Sequence, residues 1–455
     1  MKIIMNVFNF FIDAGPTVML PVIITIIGLI FGLKITRAFK SGLTLGIGFA
    51  GIKLILDFMT TNVGPAARGM VERTGVKLDA LDVGWGSIAA VTWASPIIPI
   101  LIFAILLVNI VLLVLKRTHT LDVDIWNYHH MAIVGVMVYF VTKNVFLGVG
   151  ASVVMAIVTF KISDWSQPMV ESFFGIPGVS LPTVSALSSL VIAWPLNWLL
   201  DRIPLFRKSK FTIKDAQKYL GFFGDSMIMG LVIGMVIGAL AGYDIKAVLQ
   251  LGVSMSAVLV LIPKMTSLFM EGLMPISDAA QKWSQEKFKG TRLFIGLDAA
   301  VVVGNPDVIT TALIIIPLTI AMALVLPGNR VLPFADLAVV PFRVAMVVAL
   351  TRGNLLKNIV IGLVITASLL WCGSATSPML TPIAKSVGID LGTSSMLISS
   401  FAATSMIQSY LVFIAFAYKP IIGIPVLLLV LAGVWYYFDG VKKVNREMNE
   451  PVEAQ

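Results

Sequence analysis

This sequence of 455 residues has a single cysteine, three histidines and only 13% charged residues. The lone Cys372 excludes a disulfide scaffold or a cysteine metal site within one chain. Two of the histidines, His129 and His130, are adjacent. Neighbours on a helix point about 100° apart, and few other ligands are evident, so no metal site is expected. His119 reads as a solvated loop residue. The charged fraction is about half the roughly 25% of a soluble domain. A Walker loop and a Gly-x-Ser-x-Gly elbow are both missing. The expectation is a chain that binds and moves something, with no catalytic residue and no cofactor of its own. Net charge is +9, but the basic residues sit in loops, which reads as topology and not as nucleic-acid binding.

What the sequence does contain is apolar length. Hydrophobic residues make up 58% and mean hydropathy is +0.95. Runs at 17–33, 97–115, 222–241, 308–327 and 421–437 approach or reach the length needed to cross a hydrocarbon core of about 30 Å. No small-residue cleavage site follows the first run, which is read as a spanning helix. Membrane lipid is therefore an expected partner. Basic clusters follow the first helix (Lys34, Arg37, Lys40), the run 97–115 (Lys116, Arg117) and the last helix (Lys442, Lys443, Arg446), and fill 202–218. The positive-inside rule puts all of them in the cytoplasm, the N-terminus outside and the C-terminus inside.

The chain also echoes itself. At a shift of 210, Ile27, Gly28, Gly32, Ile35 and Gly42 fall on Ile237, Gly238, Gly242, Ile245 and Gly252. Pro65 falls on Pro275, Asp124 aligns with Asp336 at a slightly larger shift, and Thr142-Lys143-Asn144 resembles Thr351-Arg352-Gly353-Asn354. The expected fold is an all-α membrane protein of about eleven transmembrane helices, in two inverted five-helix repeats plus re-entrant segments and a last helix. Inverted repeats around a midplane site are how many transporters are built. The divisions read as follows: 1–60 scaffold and 61–200 core in the first repeat, 201–220 a cytoplasmic linker, 221–270 scaffold and 271–418 core in the second, and 419–455 a final helix and tail. Gly-x-x-x-Gly at 28–32 and 238–242 permits close helix contact. The polar stretches 64–82 and 274–290 read as amphipathic segments lying in the interface. Four segments, 84–96, 175–185, 296–307 and 373–382, carry Gly, Pro and polar residues and read as interrupted, short of a full span. Irregular backbone at membrane depth must be buried in protein or line a wet cavity.

Candidate binding residues lie in those segments. Asp298 stands alone among apolar neighbours, and an intramembrane acid is a functional candidate by default; the bland alternative is a helix-start cap. Asn305 and Asp307 flank Pro306 and read as a helix opening, with capping competing against a ligand role. Trp85, Thr92, Trp93 and Ser95 occupy the matching stretch of the first half. Indoles there either stack on a polyol or anchor the interface. Asn127, His129 and His130 sit at a helix start, where one histidine faces the site and the other packs.

DAGPTVMLP (13–21), DVGWGSIAAVTWAS (82–95), DVDIWNYHHM (122–131), FIGLDAAVVVGNPDVI (294–309) and PGNRVLPFADLA (327–338) together resemble the membrane (IIC) subunit of the galactitol phosphotransferase system. That family is similar in turn to the ascorbate IIC subunit. The resemblance implies a homodimer, an elevator-like core, a polyol substrate and cytoplasmic IIA and IIB partners, with phosphate reaching the sugar from IIB. It implies that Asp298, Asn305, Asn127, the His129–His130 helix start and the re-entrant segments with Ser180 and Thr183 hold the substrate. The chain departs from the family pattern at Gly84-Trp85-Gly86-Ser87, where Gly-Trp-Pro-Gly is usual, and at Thr183 and Asn305, where histidine is common. The resemblance thus leaves the particular polyol open. The rival reading is an ion-coupled carrier of a polyol or sugar acid, with Asp298 and a histidine moving protons.

Overall fold

The computed structural model describes residues 16–74, 78–93, 95–122, 124–208, 226–287, 293–333, 335–386 and 397–441. Most of the expected linker and the polar end of 274–290 lie partly outside these residues. Helices dominate. Among the described residues, four stretches are long and apolar enough to cross a membrane: Val145–Phe174, Pro306–Val325, Leu355–Ser386 and Pro420–Gly440. Shorter apolar helices accompany them, and together they make a multi-pass protein.

One group of helices comes from the start of each half: α1 (Pro16–Ile30) and α2 (Ile35–Thr74), with later counterparts Ser226–Leu240 and Ile245–Lys287 that pack against them. The turns inside these two pairs are built alike. Gly32 takes φ +85° and Leu33 N donates to Gly28 O; Gly242 takes φ +76° and Tyr243 N donates to Gly238 O. Each is a left-handed helix cap in which a bond from beyond the glycine closes on the last turn. The Gly-x-x-x-Gly echo therefore has two jobs, not one. Its second glycine ends the helix, while its first lets the chain fold back: a Cβ on Gly28 would meet Ala38 Cβ at 3.0 Å.

The expected break between an apolar span and an amphipathic interface segment is not seen. α2 continues for 40 residues through 64–74, and Ile245–Lys287 continues for 43. Pro65 is accommodated inside the helix.

The rest of the chain packs beside these helices and shares a core with them at Ile24 and Ile276. In order it contains β1 (Ala80–Asp82), α3 (Gly84–Trp93), α4 (Ile98–Val114), β2 (Thr120–Asp122), α5 (Ile125–Thr142), α6 (Val145–Phe174), β3 (Val179–Ser180), α7 (Val184–Leu200) and the short α8 (Pro204–Lys208). After α9 (Ser226–Leu240) and α10 (Ile245–Lys287) come β4 (Phe294–Gly296), α11 (Ala300–Val303), α12 (Pro306–Val325), β5 (Val331–Leu332), a 3₁₀ turn at Ala335–Val339, α13 (Val340–Thr351), α14 (Leu355–Ser386), β6 (Leu397–Ser399), α15 (Ile407–Ala417) and α16 (Pro420–Trp435). A π-turn, Tyr436–Val441, ends the described chain.

The strands have no counterpart in the sequence pattern. Each has two or three residues, too few for a two-residue period to register. They form two parallel sheets of reciprocal composition. β1, from the first half, sits between β5 and β6 of the second; β4, from the second half, sits between β2 and β3 of the first. The register is matched: Asp82 pairs with Ser399 as Gly296 pairs with Ser180.

Three of the four interrupted segments are as expected. The first is β1's exit into the ten-residue α3, the second a turn and β3, the third β4, α11 and the start of α12. The fourth, 373–382, is a correction: it lies inside the continuous 32-residue α14. Its hydroxyls bond back to their own helix, Ser374 Oγ to Leu370 O and Thr376 Oγ1 to Cys372 O. Pro378 has no N–H for Ser374 O, and Ser377 Oγ donates to that carbonyl instead. Side-chain donors thus repair a helix that composition alone suggests is broken.

Candidate substrate site at the ends of a parallel sheet

Because β2, β4 and β3 run parallel, their C-terminal ends lie together, and each strand leads directly into a helix: α5, α11 and α7. Helix starts carry unsatisfied N–H groups, so three of them at one place form a polar focus inside apolar protein.

Asp298 stands at this focus, half-buried. Its Oδ1 accepts from Ala300 N at 2.7 Å, which is the capping role weighed for it. Its Oδ2 lies 3.4 Å from Thr183 Oγ1. That hydroxyl accepts from Ala299 N at 2.7 Å and stands 3.0 Å from Asn127 Oδ1. It has one proton, which serves either Asn127 or Asp298. Asn127 Nδ2 donates onward to Asp122 Oδ1 at 3.0 Å, and Asp124 N reaches the same oxygen at 3.3 Å. A continuous path thus runs Asp298–Thr183–Asn127–Asp122 across all three strand ends. Three expected residues are brought together. The fourth, Asp122, is not marked out by the sequence, where Asp-x-Asp ahead of a helix draws attention only to its second acid.

His129 and His130 are both buried in the first turns of α5, their ring centroids 3.8 Å apart. Trp85, at the start of α3, lies 6.0 Å from the His129 ring. The remaining expected residues have other work. Thr92 is buried and donates to Ile88 O within α3. The Trp93 side chain lies outside the described ones. Ser180 is buried in β3, its Oγ 3.0 Å from Thr120 Oγ1. Asn305 caps α12, accepting from Asp307 N at 2.9 Å and Val308 N at 3.4 Å, with Pro306 in the first turn. Capping is thus the observed role of Asn305.

His119 is a correction. It is 2% exposed, against Phe294, and its backbone N–H donates to Asp164 Oδ1 at 3.1 Å. Asp164 Oδ1 also accepts from Thr120 N at 3.1 Å and lies 2.8 Å from Thr120 Oγ1. The loop after α4 is pinned to α6 by this buried carboxylate, so a polar sequence around His119 does not mean a wet one.

The other sheet ends in a different cluster. Asp336 Oδ1 accepts from Trp85 N at 2.8 Å, and its Oδ2 from Ser400 Oγ at 2.7 Å and Ala402 N at 2.9 Å. Asp82 Oδ2 accepts from Asp336 N at 2.9 Å. Arg343, 4% exposed, interacts electrostatically with both carboxylates and lies over the Phe401 ring at 5.4 Å. Arg343 acts on this cluster from a distance, its Nε and Nη2 having no hydrogen-bond partner among the described residues, and what ties the cluster together is the set of donors on Asp336 and Asp82. A separate cavity of about 420 Å³ lies among Trp165, Phe173, Trp194 and Arg352 and shares no lining residue with the focus.

Residues 10–394 match the family model of the PTS system sugar-specific permease component, EIIC-GAT. The chain belongs to that family. It is similar, at 39% identity over 383 residues, to the galactitol-specific EIIC component of the PTS in Escherichia coli strain K12, covering 84% of this chain and 85% of the relative. It is also 36% identical over 399 residues to a putative permease IIC component of the same strain, covering 88% and 91%. The resemblance drawn from the sequence motifs is confirmed, and the family together with the apolar helices makes this a multi-pass protein of the inner membrane. As a phosphotransferase IIC component it works with other subunits of that system on a sugar-type substrate.

Proposed function

We propose that the protein takes up a sugar alcohol, galactitol first among candidates, while a separate cytoplasmic IIB subunit phosphorylates it after receiving phosphate from IIA. The observation that carries this reading is the neutral-and-acidic path Asp298–Thr183–Asn127–Asp122. A polyol offers a row of hydroxyls, each donor and acceptor, and no net charge. Thr183 and Asn127 both donate and accept, while the carboxylates accept. The galactitol-specific relative supports the choice of polyol.

The packing of α1, α2, α9 and α10 on one another supports an elevator-like motion. α1, α2, α9 and α10 form the fixed scaffold, through which two protomers pair, and the sheet-bearing part carries the site. The reciprocal sheets and the twin glycine caps support two repeats, and the basic clusters support an outer N-terminus and an inner C-terminus, hence an odd number of crossings, eleven for two inverted five-helix repeats and a last helix. The domain limits then fall inside the continuous helices α2 and α10, which serve as the links between the two parts. Ion-coupled transport remains the rival.

The test is phosphoenolpyruvate-dependent phosphorylation of radiolabelled galactitol by inverted vesicles, supplied with IIA, IIB and the general phosphotransferase proteins. Wild type is expected to give galactitol phosphate, and Asp298→Asn to cut the rate by about tenfold or more. Equal rates would reduce Asp298 to a helix cap. Product from another polyol alone would change the substrate. No product from any polyol, with active partners, would overturn the reading in favour of an ion-coupled carrier.

A further inference from the structure

Asp122 has one oxygen in use and one idle. Oδ1 accepts from Asn127 Nδ2 and from Asp124 N. Oδ2 has no hydrogen-bond partner among the described residues, although the residue is only 3% exposed. The surrounding backbone is fully committed. Asp122 N donates to Asn109 Oδ1 at 3.1 Å, and Asp122 O accepts from Tyr128 Oη at 3.1 Å. Asn109, 0% exposed, also donates from Nδ2 to Thr120 O at 2.9 Å. The carboxyl is therefore held from several sides, and its idle oxygen is fixed in place. Buried acceptors without donors are rare and call for an explanation. In a site that takes a ligand rich in hydroxyls, the explanation is the ligand.

We propose that Asp122 is a substrate-binding residue, its Oδ2 pairing with a polyol hydroxyl. This rests on the reading above. A hydroxyl both donates and accepts, so it suits that oxygen whether the buried carboxyl is ionised or carries a proton.

The competing explanation for Asp122 is structural, since it ties β2 to α5. Asp164 supplies the control. It is 0% exposed, it also ties down the β2 chain, and its Oδ2 likewise has no hydrogen-bond partner among the described residues. It faces Lys161 and the His119 loop, away from the strand ends.

The experiment is calorimetric titration of the purified full-length protein in detergent with galactitol, for wild type, Asp122→Asn and Asp164→Asn. Thermal unfolding of each is followed alongside. Asp122→Asn is expected to weaken galactitol about tenfold, the scale of losing one hydrogen bond. Asp164→Asn is expected to lower the unfolding temperature and leave the affinity within about twofold. A weaker galactitol affinity at an unchanged unfolding temperature is something that a loosened fold cannot produce. An unchanged affinity in Asp122→Asn, as when an ordered water alone fills that position, would overturn the proposal. So would equal weakening of galactitol by both variants. A wild type that binds no polyol would overturn the functional reading, and this inference with it; a wild type that binds galactitol with an indifferent Asp122→Asn would overturn this inference alone.

Discussion

Asp336 accepts from Trp85 N, Ser400 Oγ and Ala402 N and is fully buried, with Arg343 as its neighbouring cation. Its removal would strand three donors and take away a carboxylate that acts on Arg343, at a cost, because unpaired buried polar groups lose their hydration without return. Asp336→Ala is expected to destabilise the protein by about 3 kcal/mol or more, and Asp336→Asn by about half of that, read from denaturation in detergent. A shift below about 1 kcal/mol for Asp336→Ala would mean that the cluster is not a brace. The contrast with Asp122 shows how far sequence can go at this scale. Asp298 stands out because nothing charged surrounds it, and Thr183 and Asn127 stand out as polar residues beside a proline and at a helix start. Asp122 and Asp336 look alike in sequence, each an acid ahead of a helix. What separates them is how many donors reach each oxygen, which depends on strands and loops far apart in the chain. His119 misleads for the same reason: its neighbours in sequence are polar, but its neighbours in space are Phe294 and α6.

The two glycine caps offer a matched pair of substitutions. Gly32 has φ +85°, and no atom lies within 4 Å of where an added methyl would stand, so Gly32→Ala carries only the left-handed backbone penalty, about 1 kcal/mol. Gly242 has φ +76°, and an added Cβ would meet only the end of the exposed Arg73 side chain, which can move aside, so Gly242→Ala is expected to cost about the same. Chemical denaturation of the two variants checks this; a markedly larger cost for Gly242→Ala would mean that Arg73 is held in place. A second local test concerns β1 and β5. Arg330 Nε donates to Asp79 Oδ1 at 2.8 Å, and the pair joins the chain just before the two strands. Arg330 holds the Asp79 carboxyl below its ordinary value. Its contribution is therefore present above the unfolded carboxylate value of about 4 and is lost as pH falls through the depressed folded value. Both side chains are exposed, so the gain is under about 1 kcal/mol. Asp79→Asn is expected to flatten the acid limb of stability by no more than that, measured against pH from about 3 to 6. The helix start at Asn305 for α12 is legible, since caps are local. The continuity of α14 is not, because it depends on Ser377 donating to the carbonyl that Pro378 leaves open.

Across the whole molecule, the strands decide how the two halves depend on one another. Neither half can complete a sheet alone: β1 has its partners β5 and β6 in the second half, and β4 has β2 and β3 in the first. A first half by itself would leave both edges of β1 unpaired within apolar surroundings, where each open N–H and C=O costs several kcal/mol. The helices α1, α2, α9 and α10 interleave between halves in the same way. The echo in sequence points to two repeats, but not to each sheet taking its centre from one and its flanks from the other, because strands of two or three residues leave no periodic trace. The chain divided between residues 208 and 226 is thus expected to give two fragments that aggregate or are degraded when made separately. Made together in one cell, they are expected to copurify at equal stoichiometry through a tag on either one. Asp336→Ala in the second fragment should lower that recovery, since its carboxylate serves Trp85 of the first. A first fragment that is monodisperse and helical on its own would contradict the exchange, because it would show that β1 needs no partner from the other half.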